Sequence, residues 1–166
     1  MPRSVFHVAV LLLLLLQSAI AQNPPIPLES KGFKGLLALS EDLAFYTKWK
    51  SPMIPDIRIA REVGRGKKLL VILTFANAGS DETGNGNVTF SFAMKRPDGT
   101  LAFQHKDLDA LGKRPPAAVG MWMLSQQPMT ISFDDEEPSG EYTFYATLTD
   151  HVKKATLPLT YKLQLK

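Results

Sequence analysis

Met121, Trp122 and Met123 are the sharpest chemical oddity of this 166-residue chain. In a strand, side chains alternate, so both thioethers share one face and the indole takes the other. Thioether sulfur is a soft donor that selects Cu(I), and imidazole also suits copper. Met129, and His105 across a hairpin, could complete the set. Met121, Met123, Met129 and His105 are therefore the candidate metal ligands. The same residue types are ordinary fillers of irregular cores.

Covalent and acid–base chemistry find little to work with. The sequence has no Cys and no Ser in a Gly-x-Ser-x-Gly setting. Past residue 21 it holds two histidines, His105 and His151, and His151 follows Asp150 in what reads as a turn. No catalytic residue, no resident cofactor and no enzymatic activity are expected. Asp134 to Glu137 reads as a solvated acidic turn. Neither it nor the loop carrying Asp81, Glu82, Asn85 and Asn87 has the ordered spacing of a calcium loop. The stretch from His105 to Gly120 reads as the longest irregular loop, with basic Lys113-Arg114 followed by Pro115-Pro116. Long loops often carry binding, so Lys113 and Arg114, with Trp122 close by, are the candidate binding residues. They would suit an acidic or sugar-like ligand.

The elements that position these residues follow from periodicity. Ser40-Glu41-Asp42 has the form of an N-cap with first-turn acids. Leu43, Tyr46 and Trp49 then recur near helical spacing, which predicts one short helix near 40–49, ended before Pro52. From Ile57 the period becomes two. Leu69 to Phe75 is apolar on both faces, the mark of a central strand. Val88 to Met94 alternates, and Pro97-Asp98-Gly99 turns the chain into a partner over Thr100–Gln104. Met129, Ile131 and Phe133 make a short strand. Tyr142 to Leu148 and Leu157 to Leu165 alternate cleanly. About seven or eight strands without crossover helices imply an all-β, antiparallel sandwich.

The ends bound the compartment. Arg3, the apolar run Val8–Leu16 and the small residues Ala19 and Ala21 have the form of a secretory signal peptide over 1–21. The run is shorter than the roughly 20 residues of a membrane span. An extended Pro-rich leader is expected over 22–35 and the sandwich domain over 36–166. Without Arg3, 18 of the 19 basic residues face 16 acidic ones. That weak, scattered excess is no nucleic-acid footprint. A periplasmic or secreted protein is expected, with no membrane span after cleavage.

The stretch Glu136-Glu137-Pro138-Ser139-Gly140-Glu141-Tyr142-Thr143-Phe144 resembles the E–F corner of immunoglobulin-like domains. There an acidic turn leads to a Tyr whose hydroxyl bonds back to the turn. The resemblance casts Tyr142 as that corner Tyr. Phe144 stands where antibody domains place their second Cys. Together with Pro97-Asp98-Gly99-Thr100, the stretch is also similar to macroglobulin-type sandwich domains of exported bacterial proteins. The likeness covers about half of the chain past residue 21 and implies fold far more than function. Taken together, the expected role is a non-enzymatic module acting by protein–protein contact with an envelope partner. A periplasmic copper carrier and a carbohydrate-binding sandwich, with Trp49 or Trp122 as an aromatic platform, are the alternatives.

Overall fold

The computed structural model describes residues 25–49 and 57–166. The expected signal segment, and Gln22–Pro24 of the leader, lie outside the described residues. The alternating segments build ten strands among the described residues: β1 (Leu28–Ser30), β2 (Phe33–Ser40), β3 (Glu62–Val63), β4 (Lys68–Ala76), β5 (Val88–Lys95), β6 (Leu101–Asp109), β7 (Trp122–Leu124), β8 (Met129–Ser132), β9 (Gly140–Asp150) and β10 (Ala155–Leu165). They form two sheets. One runs β1-β2-β4, with β7 and β8 set end to end along the far edge of β4; the other runs β3-β10-β9-β5-β6. Every pairing is antiparallel except the two-residue match of β3 to β10.

The inner faces of the two sheets share one apolar core. Leu69, Val71, Leu73 and Phe75 of β4 meet Phe90 and Phe92 of β5, and Tyr142, Phe144 and Leu148 of β9. Along β10 every odd-numbered residue from Ala155 to Leu165 is buried and every even one exposed, the signature of a strand wet on one side. β4 departs from that pattern as the sequence predicts. Leu70 and Ile72 face outward, into a second cluster with Ala38 and Phe45.

Three boundaries differ from expectation. The helix is one turn, α1 (Phe45–Lys48). Ser40 is the last residue of β2; its hydroxyl donates to the Arg58 carbonyl at 2.7 Å and accepts from Asp42 N–H. Phe45 is buried and Tyr46 and Trp49 pack beside it, because the segment lies across the outer face of β2 and β4, whereas Leu43 is exposed. Second, the sheet begins inside the expected leader, and Phe33 is fully buried. Lys31 and Gly32 both take positive φ (51° and 74°), as the two central residues of a tight hairpin turn do. Lys is an unusual occupant there, so the turn is hard to see in the sequence. Third, His105 to Asp109 belong to β6. The irregular run starts at Ala110, and Ala110 and Leu111 are buried.

Candidate binding cleft

The flank where β6 and β8 form the sheet edges holds a cleft of about 430 Å³. Its shape follows from register. Met129 pairs with Val71 and Ile131 with Leu69, both core-facing positions of β4, so these two side chains face the other sheet. There Met94 lies opposite Phe103, and Phe92 opposite His105. Phe92, Met94, Phe103, Met129 and Ile131 supply the apolar lining. His105 occupies an inward position of an edge strand, yet it is exposed. Its ring lies 5.7 Å from that of Phe103.

One end of the cleft is closed by a charge pair. Arg96 grips Glu137 through two bonds, Nε to Oε2 and Nη2 to Oε1, both 3.1 Å. Such a two-pronged fit is the strong form of the interaction. The Arg96 bond holds the Glu137 carboxyl below its ordinary range, against the smaller opposing effect of burial. The Tyr142 phenol beside it is pushed up to about 12, by burial first and by Glu137 second. Arg65 Nη2 donates to the Glu137 carbonyl at 2.8 Å. These groups are committed to holding the turn before β9.

The predicted metal set is divided. Met129 and His105 line the cleft, but Met121 and Met123 do not. Met123 pairs with Phe75 and Met129 with Val71, four residues apart along β4, or about 13 Å. The Met123 sulfur already accepts the Ala117 N–H at 3.2 Å. Met121 is half-buried just before β7. The predicted binding residues also stand apart from the cleft. Lys113 and Arg114 are exposed in the run after β6, and Trp122 is half-buried opposite Ala76. His151 Nε2 lies 2.9 Å from Thr89 Oγ1. Asp81 Oδ1 accepts from the Thr83 amide, the Thr83 hydroxyl and the Asn85 amide, which folds its loop on itself. Among the described residues no three His, Cys, Asp or Glu side chains converge on one point.

Met94, Ile131 and the Arg96–Glu137 pair also line the cleft without forming a motif in the sequence. A signal for Met94 existed, since the alternation of Val88–Met94 already turns it inward. The pairing of β8 with β4, which puts Met129 and Ile131 across from it, joins segments far apart in the chain and leaves no local trace.

No family model matches the chain, and no curated protein matches it. The solved structures it is similar to include the following three, all at low identity. One is the alkylpurine DNA glycosylase AlkC of Pseudomonas fluorescens, solved bound to DNA containing an abasic site analog. It is 10% identical over 64% of this chain and 28% of that one, with a TM-score of 0.40. A Niemann-Pick type C2 protein from the Japanese carpenter ant is 12% identical over 63% of this chain and 79% of that one, with a TM-score of 0.39. A family 123 glycoside hydrolase from Clostridium perfringens is 11% identical over 80% and 27%, with a TM-score of 0.44. The chain thus spans little more than a quarter of the glycosylase and of the hydrolase.

Proposed function

We propose that the chain is a non-catalytic, immunoglobulin-like sandwich module of the periplasm or exterior that holds an extended segment of a partner protein. The observation that carries this reading is the apolar cleft lying between two edge strands. Among the described residues β6 pairs with β5 alone, which leaves its outer edge open to an added strand. A segment laid along Leu101–Gln104 would direct alternate side chains toward the cleft. Its volume of about 430 Å³ falls in the range of protein binding pockets. Beyond His105 the edge is guarded: Lys106, Asp107 and Asp109 are charged and exposed, and Asp107 sits at φ 53°. Charges and a left-handed residue of this kind oppose strand addition, which leaves Leu101–Gln104, itself bulged at Ala102, as the docking stretch.

Two further observations support the reading. The Tyr142 hydroxyl lies 3.0 Å from the Pro138 carbonyl oxygen, the bond back to the turn that the immunoglobulin-like corner implies. The half-buried Arg96 and Glu137 and the buried Tyr142 and Asp150 are all engaged in bonds that hold turns. Export rests on the signal-like sequence over 1–21, and an envelope protein is the expected partner.

Selection of a random-peptide display library on residues 22–166 tests the proposal. Enriched peptides should alternate apolar and polar residues and lose binding to Ile131→Asp. Ala102→Arg, across the cleft on β6, should act the same way and guards against a folding defect in the first variant. No enrichment, or peptides that bind both variants undiminished, overturns it.

A further inference from the structure

We propose that Met94, Met129 and His105 form a site for one soft monovalent metal ion of the Cu(I) class. Register brings the three together. Phe92 pairs with His105 and Met94 with Phe103, so Met94 and His105 are diagonal neighbours on one face of the β5–β6 ladder. Such neighbours stand roughly 7–8 Å apart, a gap that a thioether and an imidazole bridge around a shared ion. Met129 faces them from the other sheet, at the roughly 10 Å that separates stacked sheets. All three line the same cleft.

The chemistry of the surroundings selects the ion. Two thioethers and one neutral imidazole form a soft, uncharged donor set, which favours Cu(I) over hard divalent cations. Phe92, Phe103 and Ile131 form an apolar shell that disfavours a strongly hydrated ion. Arg96 and Glu137 neutralise each other and bring no net charge. His105 is an exposed donor lining the same cleft. It is a polar ring on an inward position, with Phe103 as its ring neighbour and no side-chain hydrogen bond among the described residues. The Met123 sulfur, by contrast, is spent on an amide, which removes it from the ligand set.

Titration of metal-free residues 22–166 with Ag(I), a redox-inert probe of the same class, decides the matter. Methionine-methyl and histidine-ring NMR should show saturable binding of one ion, with shifts at Met94, Met129 and His105. Met129→Leu and Met94→Leu conserve volume and should fold. Each should weaken Ag(I) binding by more than about 10-fold, as should His105→Ala, while Met121→Leu and Met123→Leu leave it unchanged. Absence of saturable binding, shifts at Met121 and Met123 instead, or undiminished affinity in Met129→Leu and His105→Ala overturns the assignment. Peptide selection run in chelator stands or fails independently of this result.

Discussion

The Tyr142 hydroxyl lies 2.9 Å from Glu137 Oε2 and 3.0 Å from the Pro138 carbonyl oxygen, so one phenol ties the strand β9 to the turn that precedes it. Glu137 is in turn gripped by Arg96 at the end of β5. Tyr142→Phe keeps the ring, which packs edge-on against Phe133 at 4.7 Å, and removes only the bonds. A side chain left without its partner at such a site costs about 1–3 kcal/mol. Urea unfolding should show a loss of that size with an unchanged denaturant slope. A change below about 0.5 kcal/mol would mean that water replaces the phenol without penalty.

Glu137 and Tyr142 also make stability depend on pH, with opposite signs at the two ends. Glu137 titrates below its ordinary value of 4.5, chiefly because of the Arg96 bond. A lowered carboxyl stabilises the fold above its unfolded value, and that stability drains away as pH falls through the folded one. Tyr142 is shifted the other way, from 10.0 to about 12. Its contribution is whole below pH 10 and is lost as pH rises from there toward about 12. Tyr161, pushed up to about 12 by burial, adds to the alkaline loss. Stability measured across pH should therefore fall at both ends. Glu137→Gln should flatten the acid limb, and Tyr142→Phe should soften the alkaline one. An acid limb unchanged in Glu137→Gln would assign it to other carboxylates.

Asp150 is fully buried and is satisfied by three backbone donors. Its Oδ2 accepts the Gly79 N–H at 2.7 Å, and its Oδ1 accepts those of Val152 and Lys153 at 3.0 Å each. It therefore closes the β9–β10 hairpin and ties it to the loop after β4. Asp150→Ala strands all three donors, and a loss of about 3 kcal/mol is expected, at the upper end for an unmade set of this kind. Asp150→Asn keeps one acceptor oxygen and should recover part of it. Amide exchange should speed up at Gly79, Val152 and Lys153 in Asp150→Ala. Protection left intact there would show that the hairpin holds without the carboxylate.

Sequence pattern made β5, β9 and β10 legible, because each is long enough for a two-residue repeat to stand out, and β4 legible as an unbroken apolar run. Pro97-Asp98-Gly99 announced the β5–β6 hairpin, where Asp98 Oδ1 accepts the Thr100 amide and hydroxyl. What stayed hidden was short or non-local. β3 is two residues, and it joins its sheet through a parallel match to the last strand. The second half of β6 reads as loop because its sequence does not alternate; Gln104 to Asp107 are all exposed, as an edge strand beside an open cleft permits. The Met-Trp-Met motif drew attention by its rarity in the sequence. The cleft instead uses Met94 and Met129, whose proximity depends on how the two sheets face each other.

The closeness of the sheets on the opposite flank rests on Gly35. A Cβ at that position would stand 2.7 Å from Leu148 Cδ1 and 3.0 Å from Leu157 Cδ1, inside ordinary contact for both. Gly→Ala usually gains about 0.4–1 kcal/mol by restricting the unfolded chain. Here overpacking, typically about 1–3 kcal/mol, opposes it and should win, since Leu148 and Leu157 are themselves buried and both must shift to admit the methyl. Gly35→Ala is therefore expected to destabilise, and Gly35→Val more so. Leu148→Ala alone should cost about 2–5 kcal/mol through the cavity it opens. Combined, the two changes should cost less than their sum, because the new methyl occupies part of that space, with a coupling of about 0.5–3 kcal/mol. Strict additivity in the double-mutant cycle would show that the sheets part to admit the methyl, and that the tight flank is not set by this glycine.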